Sequence, residues 1–225
     1  MKTSDKGIAF LAGHEGVVLG PYLDSAEPPV WTYGVGHTAA AGAPDPARMP
    51  RGMPANIDAA LREVFALFRK DLAKYEADVN RVLKGRTVPQ HEFDAAVSFH
   101  FSTGAIGRAN WVDLWLSGKV RDAGSNMLEN WRKPASIVGR RAAEMALLVN
   151  GEYGAHRASV WPVSETGRIT WKPVRVLTHM EILALMGAGP ASTWAPAPTK
   201  EPAKPVAAGG LSVFFAWLAG IFSRR

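Results

Sequence analysis

The sequence predicts an α+β protein in which a small β-hairpin lobe and a mostly helical lobe are joined by a long helix. The β lobe is indicated by residues 17–35, where residues that favour extended backbone are interrupted by Gly-Pro and Pro-Pro turn signals. The helices are indicated by residues 57–150, where apolar residues recur at spacings of three and four. With 225 residues, 47% of them hydrophobic, the chain can bury a sizeable core.

The composition restricts the classes of partner. The chain carries 26 Lys and Arg residues against 20 Asp and Glu residues, a formal net charge of +6. This balance favours polyanionic partners, among them nucleic acid, anionic membranes and the acidic polymers of a bacterial wall. The absence of cysteine excludes a disulfide framework and a thiolate metal site. Residues 1–16 have too short an apolar run for a secretory signal, so we expect synthesis in the cytoplasm without one.

The first helix and the hairpin bring two acids towards each other. A cap within residues 3–5 starts a short helix whose pattern runs into Glu15 and stops at Gly16. The hairpin follows and carries Asp24, so the two carboxylates face each other across a small gap. In such a pair, an acid kept protonated by an apolar pocket donates a proton, while the ionised one orients or activates water.

A long loop and a long helix follow the hairpin. Residues 39–56 contain four prolines, which predicts a surface loop without regular elements, either a lid or an edge of the cleft. Asn56 then caps a helix that continues to about Leu83. At the rise of an α-helix it would measure roughly 40 Å, enough to bridge two lobes.

The second half of the chain reads as shorter helices with an irregular stretch before the last one. Thr178 and Glu181 form a capping box for a final helix that ends at Gly187. We expect residues 155–176, which contain two tryptophan-proline signals, to be irregular. The other helices are predicted over residues 90–103, 111–117, 120–131 and 139–150.

The C-terminal segments differ from the rest in composition. Residues 190–205 consist largely of Pro, Ala, Thr and Lys, which predicts a semi-rigid extended linker. Residues 206–223 carry no charge, and as a helix they would approach the length that crosses a bilayer core of roughly 30 Å. Their apolar residues also share one stripe, so a spanning helix and an interfacial helix both remain open.

Three stretches in a fixed order carry a resemblance to a known family. Glu15 is followed after eight residues by Asp24, and then by Thr32 at the start of the sequence TYGVGH. This arrangement resembles the Glu/Asp/Thr triad of the phage-type lysozymes, glycoside hydrolase family 24. The stretches QHEFDAAVSFHFSTG at residues 90–104 and WRK with GRRAAE at residues 131–144 are also similar to that family.

The resemblance implies a two-lobed lysozyme-like fold and cleavage of the β-1,4 bond between N-acetylmuramic acid and N-acetylglucosamine. Glu15 would be the general acid, Asp24 and Thr32 would hold the attacking water, and neither a metal nor a cofactor is needed. Water between two carboxylates calls for a separation of roughly 6.5 to 9.5 Å and inversion, whereas a covalent, retaining route calls for about 5 Å, and members of the family vary in how strictly they follow this scheme. Seven residues separate Asp24 from Thr32 where the family usually has five. A longer turn absorbs them, unless the register slips by one and turns Thr32 away from the cleft.

Further residues are candidates for substrate binding or for support of the site. Arg140 and Arg141 are either surface charges or supports of the hydrogen-bond network behind the acid, and both interpretations stay open. Phe101 fits core packing first and sugar contact second. Ser102 stands where the family usually has Asn, which puts one substrate hydrogen bond in doubt.

The histidines suggest structure rather than metal binding. We interpret His37 as structural, paired with an acid on the long helix, and predict Asp71 as that acid. The six histidines show no ligand spacing, because His14-Glu15 and His91-Glu92 both lack the second histidine of a zinc HExxH motif.

The resemblance also implies a domain organisation and a setting. We expect an endolysin-type enzyme that binds peptidoglycan in the periplasm as a monomer and does not bind nucleic acid, since its basic residues form no stripe. A holin or the tail would govern access to the wall. A lytic transglycosylase and a non-catalytic wall-binding module are the alternatives. The expected parts are a catalytic domain (1–153), its extension (154–189), the linker (190–205) and a tail that would anchor the chain to the inner membrane (206–225).

Overall fold

The computed structural model describes residues 1–187. The predicted linker and hydrophobic tail, and the last two residues of the extension, lie outside this part. Within residues 1–187, no helix is both long and apolar enough to span a membrane. The helices of this part are α1 (Asp5–Glu15), α2 (Ile57–Leu83), α3 (Gln90–Thr103), α4 (Asn110–Leu116), α5 (Val120–Asn130), α6 (Val138–Asn150) and α7 (His179–Leu185). The strands are β1 (Val17–Leu23), β2 (Trp31–Gly34), β3 (His37–Thr38), β4 (Ala158–Trp161) and β5 (Arg175–Leu177).

The α+β class is confirmed, and helix α2 connects its two parts. The Asn56 side chain caps α2 by accepting a hydrogen bond from the Ala59 amide at 3.0 Å. The buried face of the helix packs against α3 on one side and the strands of the β lobe on the other. This face carries Leu61, Val64, Phe65, Phe68, Leu72, Val79 and Leu83. The helices predicted between residues 90 and 150 are confirmed to within one residue at each end.

The β lobe is larger than the predicted hairpin. Its five strands form one sheet in the order β3-β2-β1-β4-β5. Strand β4 lies parallel to β1, with Val17 opposite Val160, and β5 pairs antiparallel with β4. The expectation that residues 155–176 are irregular was therefore wrong for both strands. Strands of four and three residues are too short to show a period. Strand β4 forms because β1, more than 130 residues earlier, provides an edge for pairing, and β5 then pairs with β4.

The proline-rich loop is packed rather than free. Contrary to the expectation of no regular element, it contains 3₁₀ turns at residues 39–41 and 46–48. Pro46 occupies the first position of the second turn, where its missing N–H costs nothing. At the end of the loop, Gly52 is buried against Glu165, and the sulfur of Met53 accepts a hydrogen bond from the Val163 amide. The loop is therefore fixed against the segment that follows β4.

Strand β1 separates two hydrophobic clusters. Val17 and Leu19 belong to the main core, together with the buried faces of the helices. Val18 and Tyr22 point to the opposite face and pack with Trp161 and Val163 in a second, smaller cluster. Two members of the smaller cluster come from β4 and the residues just after it, namely Trp161 and Val163. Residues beyond 153 therefore complete the lobe that carries β1.

Candidate active site

The turn that follows α1 places Glu15. Ser4 caps the start of the helix, and Glu15 is its last residue, 3% exposed. Gly16 follows with φ +74°, and a Cβ there would lie 2.9 Å from Nε1 of Trp161. Positive φ and this close approach both require glycine. The chain therefore turns directly against the Trp161 indole and enters β1 with Glu15 buried at the junction.

The environment of Glu15 suits a proton donor. Nη1 of Arg140 donates a hydrogen bond to Oε1 at 2.5 Å, while the buried Oε2 accepts none from the described residues. Burial raises the pKa of the Glu15 carboxyl, and the neighbouring Arg140 guanidinium offsets only part of that effect. The result is a carboxyl whose pKa lies above the ordinary value and which has one oxygen outside the ion pair.

A buried network holds Arg140 behind the acid. Arg140 Nε donates to Oε1 of Glu144 at 2.9 Å, and its Nη2 donates to the Ser98 carbonyl at 3.2 Å. Ser98 Oγ also donates to Oε1 of Glu144, at 2.6 Å. Glu144 lies one helical turn after Arg140 on α6 and is fully buried. The structure therefore places Arg140 in the support network and not on the surface.

Arg141 belongs to the same network. Its guanidinium forms an ion pair with Glu144, donates to Oγ of Ser102 and lies 5.0 Å from the ring of Phe99. Ser102 in turn donates to the Phe99 carbonyl at 3.1 Å, so its hydroxyl is used inside the protein. Burial lowers the pKa of Arg141 to about 10, which still leaves the side chain charged at neutral pH.

Asp24 and Thr32 lie together at the hairpin. Oδ1 of Asp24 accepts hydrogen bonds from the amides of Ala26, at 3.1 Å, and Val30, at 2.8 Å. The Thr32 hydroxyl lies 3.5 Å from Oδ2 of Asp24 and 3.2 Å from the Val30 carbonyl. Thr32 thus faces Asp24. The two residues by which the Asp24–Thr32 spacing exceeds that of the family lie in the turn closed by the Asp24 carboxylate. They therefore do not turn Thr32 away from Asp24.

An interruption in β1 sets this register. The pairing of β1 with β2 shifts between Val18 and Tyr22, where Gly20 and Pro21 interrupt the ladder because proline has no N–H to donate. After the shift, Tyr22 lies opposite Thr32. Burial raises the pKa of the Tyr22 phenol, and the negative charges of Asp24 and Glu15 raise it further. Tyr22 therefore lies within electrostatic range of both acids.

His37 is a structural residue. Its Nδ1 lies 2.7 Å from Oδ2 of Asp71, the partner predicted from the sequence, and its Nε2 lies 2.7 Å from the Pro44 carbonyl. Burial lowers the pKa of the imidazole, but these two acceptors raise it more, so the net pKa is above the ordinary value. Both ring nitrogens face acceptors, which favours the doubly protonated ring. His37 thereby ties β3 and the proline-rich loop to α2.

Phe101 lies in the core. It is buried and packs against Phe68 and Tyr75, with ring centroids 5.5 and 4.9 Å apart. Core packing, the first of its two predicted roles, is what the structure displays. Among the described residues, no group of three or more His, Cys, Asp or Glu side chains is placed to hold a metal ion.

Three residues of the site were not singled out from the sequence. Glu144 and Ser98 complete the network behind Glu15, and Tyr22 lies within electrostatic range of both Glu15 and Asp24. The spacing of Glu144 from Arg140 and Arg141, four and three residues on one helix, was the signal that could have identified it. The sequence offers no comparable signal for Tyr22, because its role depends on the shifted register.

The fold and the site define a class of protein. A glutamate buried at the end of the first helix is followed by an Asp–Thr pair on the next hairpin of an α+β protein, as the resemblance to the lysozymes implies. Residues 12–144 match the family described as phage lysozyme, and the chain belongs to that family. The match ends before β4 and β5.

Solved structures support the lysozyme-like fold. The muramidase domain of SpmX from Asticaccaulis excentricus is 27% identical, with a TM-score of 0.53, and the alignment covers 66% of this chain and 98% of that domain. A mutant of P22 lysozyme is 24% identical, with a TM-score of 0.55 and coverage of 67% and 99%. No curated protein matches the chain. The family and the first of these structures together support assignment as a glycoside hydrolase.

Proposed function

We propose that this chain is a peptidoglycan muramidase that hydrolyses the β-1,4 bond between N-acetylmuramic acid and N-acetylglucosamine in endolysin-type lysis of a host cell. The observation that carries the proposal is the buried Glu15 carboxyl, whose pKa is raised, in a chain that carries the Asp24–Thr32 pair on the next hairpin. A member of the phage lysozyme family with both acids in place has the parts that such a reaction requires.

In the proposed mechanism, Glu15 donates its proton to the glycosidic oxygen through Oε2, the oxygen outside the ion pair with Arg140. Proton donation allows the bond to the leaving sugar to break. Asp24 accepts a proton from the attacking water, and the Thr32 hydroxyl fixes the position of that water. Once Glu15 has lost its proton, the Arg140 guanidinium stabilises its carboxylate. Arg140 is itself held by Glu144 and Ser98, so the pair requires no rearrangement during the reaction.

Digestion of purified sacculi tests the proposal. The chain is expected to solubilise them and to release muropeptides that end in reducing muramic acid. Sacculi that stay intact while the protein sediments with them would contradict it, and would favour the wall-binding module instead. The presence of both Asp24 and Thr32 beside a buried acid argues against that alternative, because a binding module has no use for such a pair.

The lytic transglycosylase is the closer alternative, because it breaks the same bond with the acid alone. It forms a 1,6-anhydro product through the sugar's own hydroxyl and needs no activated water. The contacts of Asp24 favour hydrolysis: two backbone amides fix Oδ1, and Oδ2 is directed towards the Thr32 hydroxyl.

Thr32→Val is expected to lower kcat on sacculi about tenfold, with a much smaller change in KM, because valine keeps the shape but cannot position the water. Steady-state release of reducing ends measures both constants. Thr166→Val, at an exposed turn, is the matched control and should behave as the parent. A Thr32→Val variant with parental kcat would remove Thr32 from the mechanism.

The cellular setting is also part of the proposal. The enzyme would act on the wall from the periplasm as a monomer. The apolar residues 206–223 would bring it to the inner membrane, and a holin or this tail would control access to the wall. Fractionation of the full chain beside a chain ending at Gly189 tests the tail. Equal amounts of both in the soluble fraction would contradict membrane attachment.

A further inference from the structure

The segment after the family match carries a half-exposed tryptophan that packs on a buried one. Strand β4 pairs with β1, and the chain between β4 and β5 carries Trp171, which is 48% exposed. The Trp171 ring packs on that of Trp161, with centroids 5.4 Å apart and planes at 69°. The Trp171 ring is thus about half exposed and rests on a buried aromatic ring, in a part of the chain that the family match does not cover.

Trp161 connects this surface to the acids. Its indole lies against Gly16, the residue after Glu15, and it shares a buried cluster with Tyr22. Tyr22 in turn lies within electrostatic range of Glu15 and Asp24. A packed series of side chains therefore runs from Trp171 through Trp161 to Gly16, the residue next to Glu15.

The charge around Trp171 suits an acidic polymer. Arg168 and Lys172 lie in the same segment, are exposed and make no ion pair among the described residues. Glu165 is the one acid between β4 and β5. Peptidoglycan carries carboxylates on its lactyl groups and peptide stems, and its sugar rings have apolar faces made of C–H groups. An exposed indole with cations nearby complements both features.

We propose that Trp171 forms the wall of an outer saccharide subsite, which binds a sugar ring of the glycan strand beyond the two sugars at the cleaved bond. Lys172 and Arg168 form its cationic rim and attract carboxylates of the same strand. This proposal rests on the proposed muramidase function. The subsite makes the enzyme favour long glycan strands over short fragments, because a fragment that spans only the cleaved bond does not reach Trp171.

The first test measures binding without turnover. In a Glu15→Gln background, Trp171→Ala is expected to weaken co-sedimentation with purified sacculi about tenfold. The reason is that the substitution removes one aromatic stacking contact together with the area it buries. Trp171→Phe should recover most of the binding, which a merely structural role of Trp171 would not predict. Met180→Ala is the matched control, because Met180 is more exposed than Trp171 and lies on α7 outside the proposed subsite.

The second test separates the subsite from the chemistry. With Glu15 present, Trp171→Ala should raise KM on sacculi about tenfold and affect a two-sugar fragment that spans only the cleaved bond much less. Parental binding and KM for Trp171→Ala, or equal losses on sacculi and fragment, would overturn the subsite. A parent that binds sacculi through Trp171 but releases no muropeptides would instead overturn the muramidase function and leave the subsite standing.

Discussion

Replacing Glu15 with glutamine is expected to slow wall hydrolysis about a thousandfold, because glutamine has no proton to give to the leaving oxygen. Glutamine keeps the size of the side chain, and its amide oxygen still accepts a hydrogen bond from Arg140. The loss should therefore appear in kcat while binding to sacculi persists. Loss of turbidity of outer-membrane-permeabilised Gram-negative cells measures the rate.

Glu27→Gln is the matched control for this substitution. Glu27 is exposed in the turn between β1 and β2, so the change removes an acid from the same hairpin without touching Glu15 or Asp24. Its turbidity rate should equal that of the parent. If Glu15→Gln keeps more than about a tenth of the parental rate with an unchanged circular dichroism spectrum, Glu15 is not the general acid.

The pH dependence of activity should report the raised pKa of Glu15. Only the protonated carboxyl can donate, so kcat falls as pH rises through the folded-state pKa, which burial places above the ordinary value. The same shift makes the contribution of Glu15 to stability greatest below its unfolded-state pKa and lost as pH rises through the folded-state pKa. A pH–rate profile that declines already at the ordinary glutamate pKa would contradict this environment.

Replacing Glu144 with alanine is expected to lower the free energy of unfolding by about 3–5 kcal/mol. Glu144 is fully buried and is the shared acid of Arg140 and Arg141, so its removal leaves two buried guanidinium groups with less compensation. Since a domain of this kind has only about 5–15 kcal/mol in total, the loss is severe. Urea unfolding followed by tryptophan fluorescence measures it.

Glu129→Gln provides the comparison for Glu144. Glu129 lies on α5 and is exposed, so its substitution should change the free energy of unfolding by no more than about 0.5 kcal/mol. A Glu144→Ala variant that also stays within about 1 kcal/mol of the parent would mean that the two arginines find other partners. The support assigned to Arg140 would then not depend on Glu144.

Much of the fold follows from local signals. The Asn56 cap and the apolar stripe of α2 predict the start of that helix and its end near Leu83, and the capping box of Thr178 and Glu181 predicts the start of α7. Such features act within a few residues of chain, so a sequence displays them. Strands β4 and β5 are different, because β4 is defined by its pairing with β1 and β5 by its pairing with β4, and both have little local pattern of their own.

The residues of the candidate site also fall into two groups, those that the sequence alone identifies and those whose role depends on tertiary packing. Glu15, Asp24 and Thr32 could be selected because their order and spacing resemble a known family. The fully buried Glu144 could not be distinguished from a surface acid of α6, since its burial depends on how α6 packs against α3. The role of Tyr22 follows from an interruption at Gly20 and Pro21, whose effect on register depends on the partner strand.

The most direct test of the central claim is the mass spectrum of muropeptides released from purified sacculi in water enriched in a heavy oxygen isotope. Hydrolysis with Glu15 as acid and Asp24 beside the water predicts one heavy oxygen on each newly formed reducing-end muramic acid, and no such product from Glu15→Gln. Unlabelled 1,6-anhydromuramic acid from the parent would contradict hydrolysis and identify a transglycosylase.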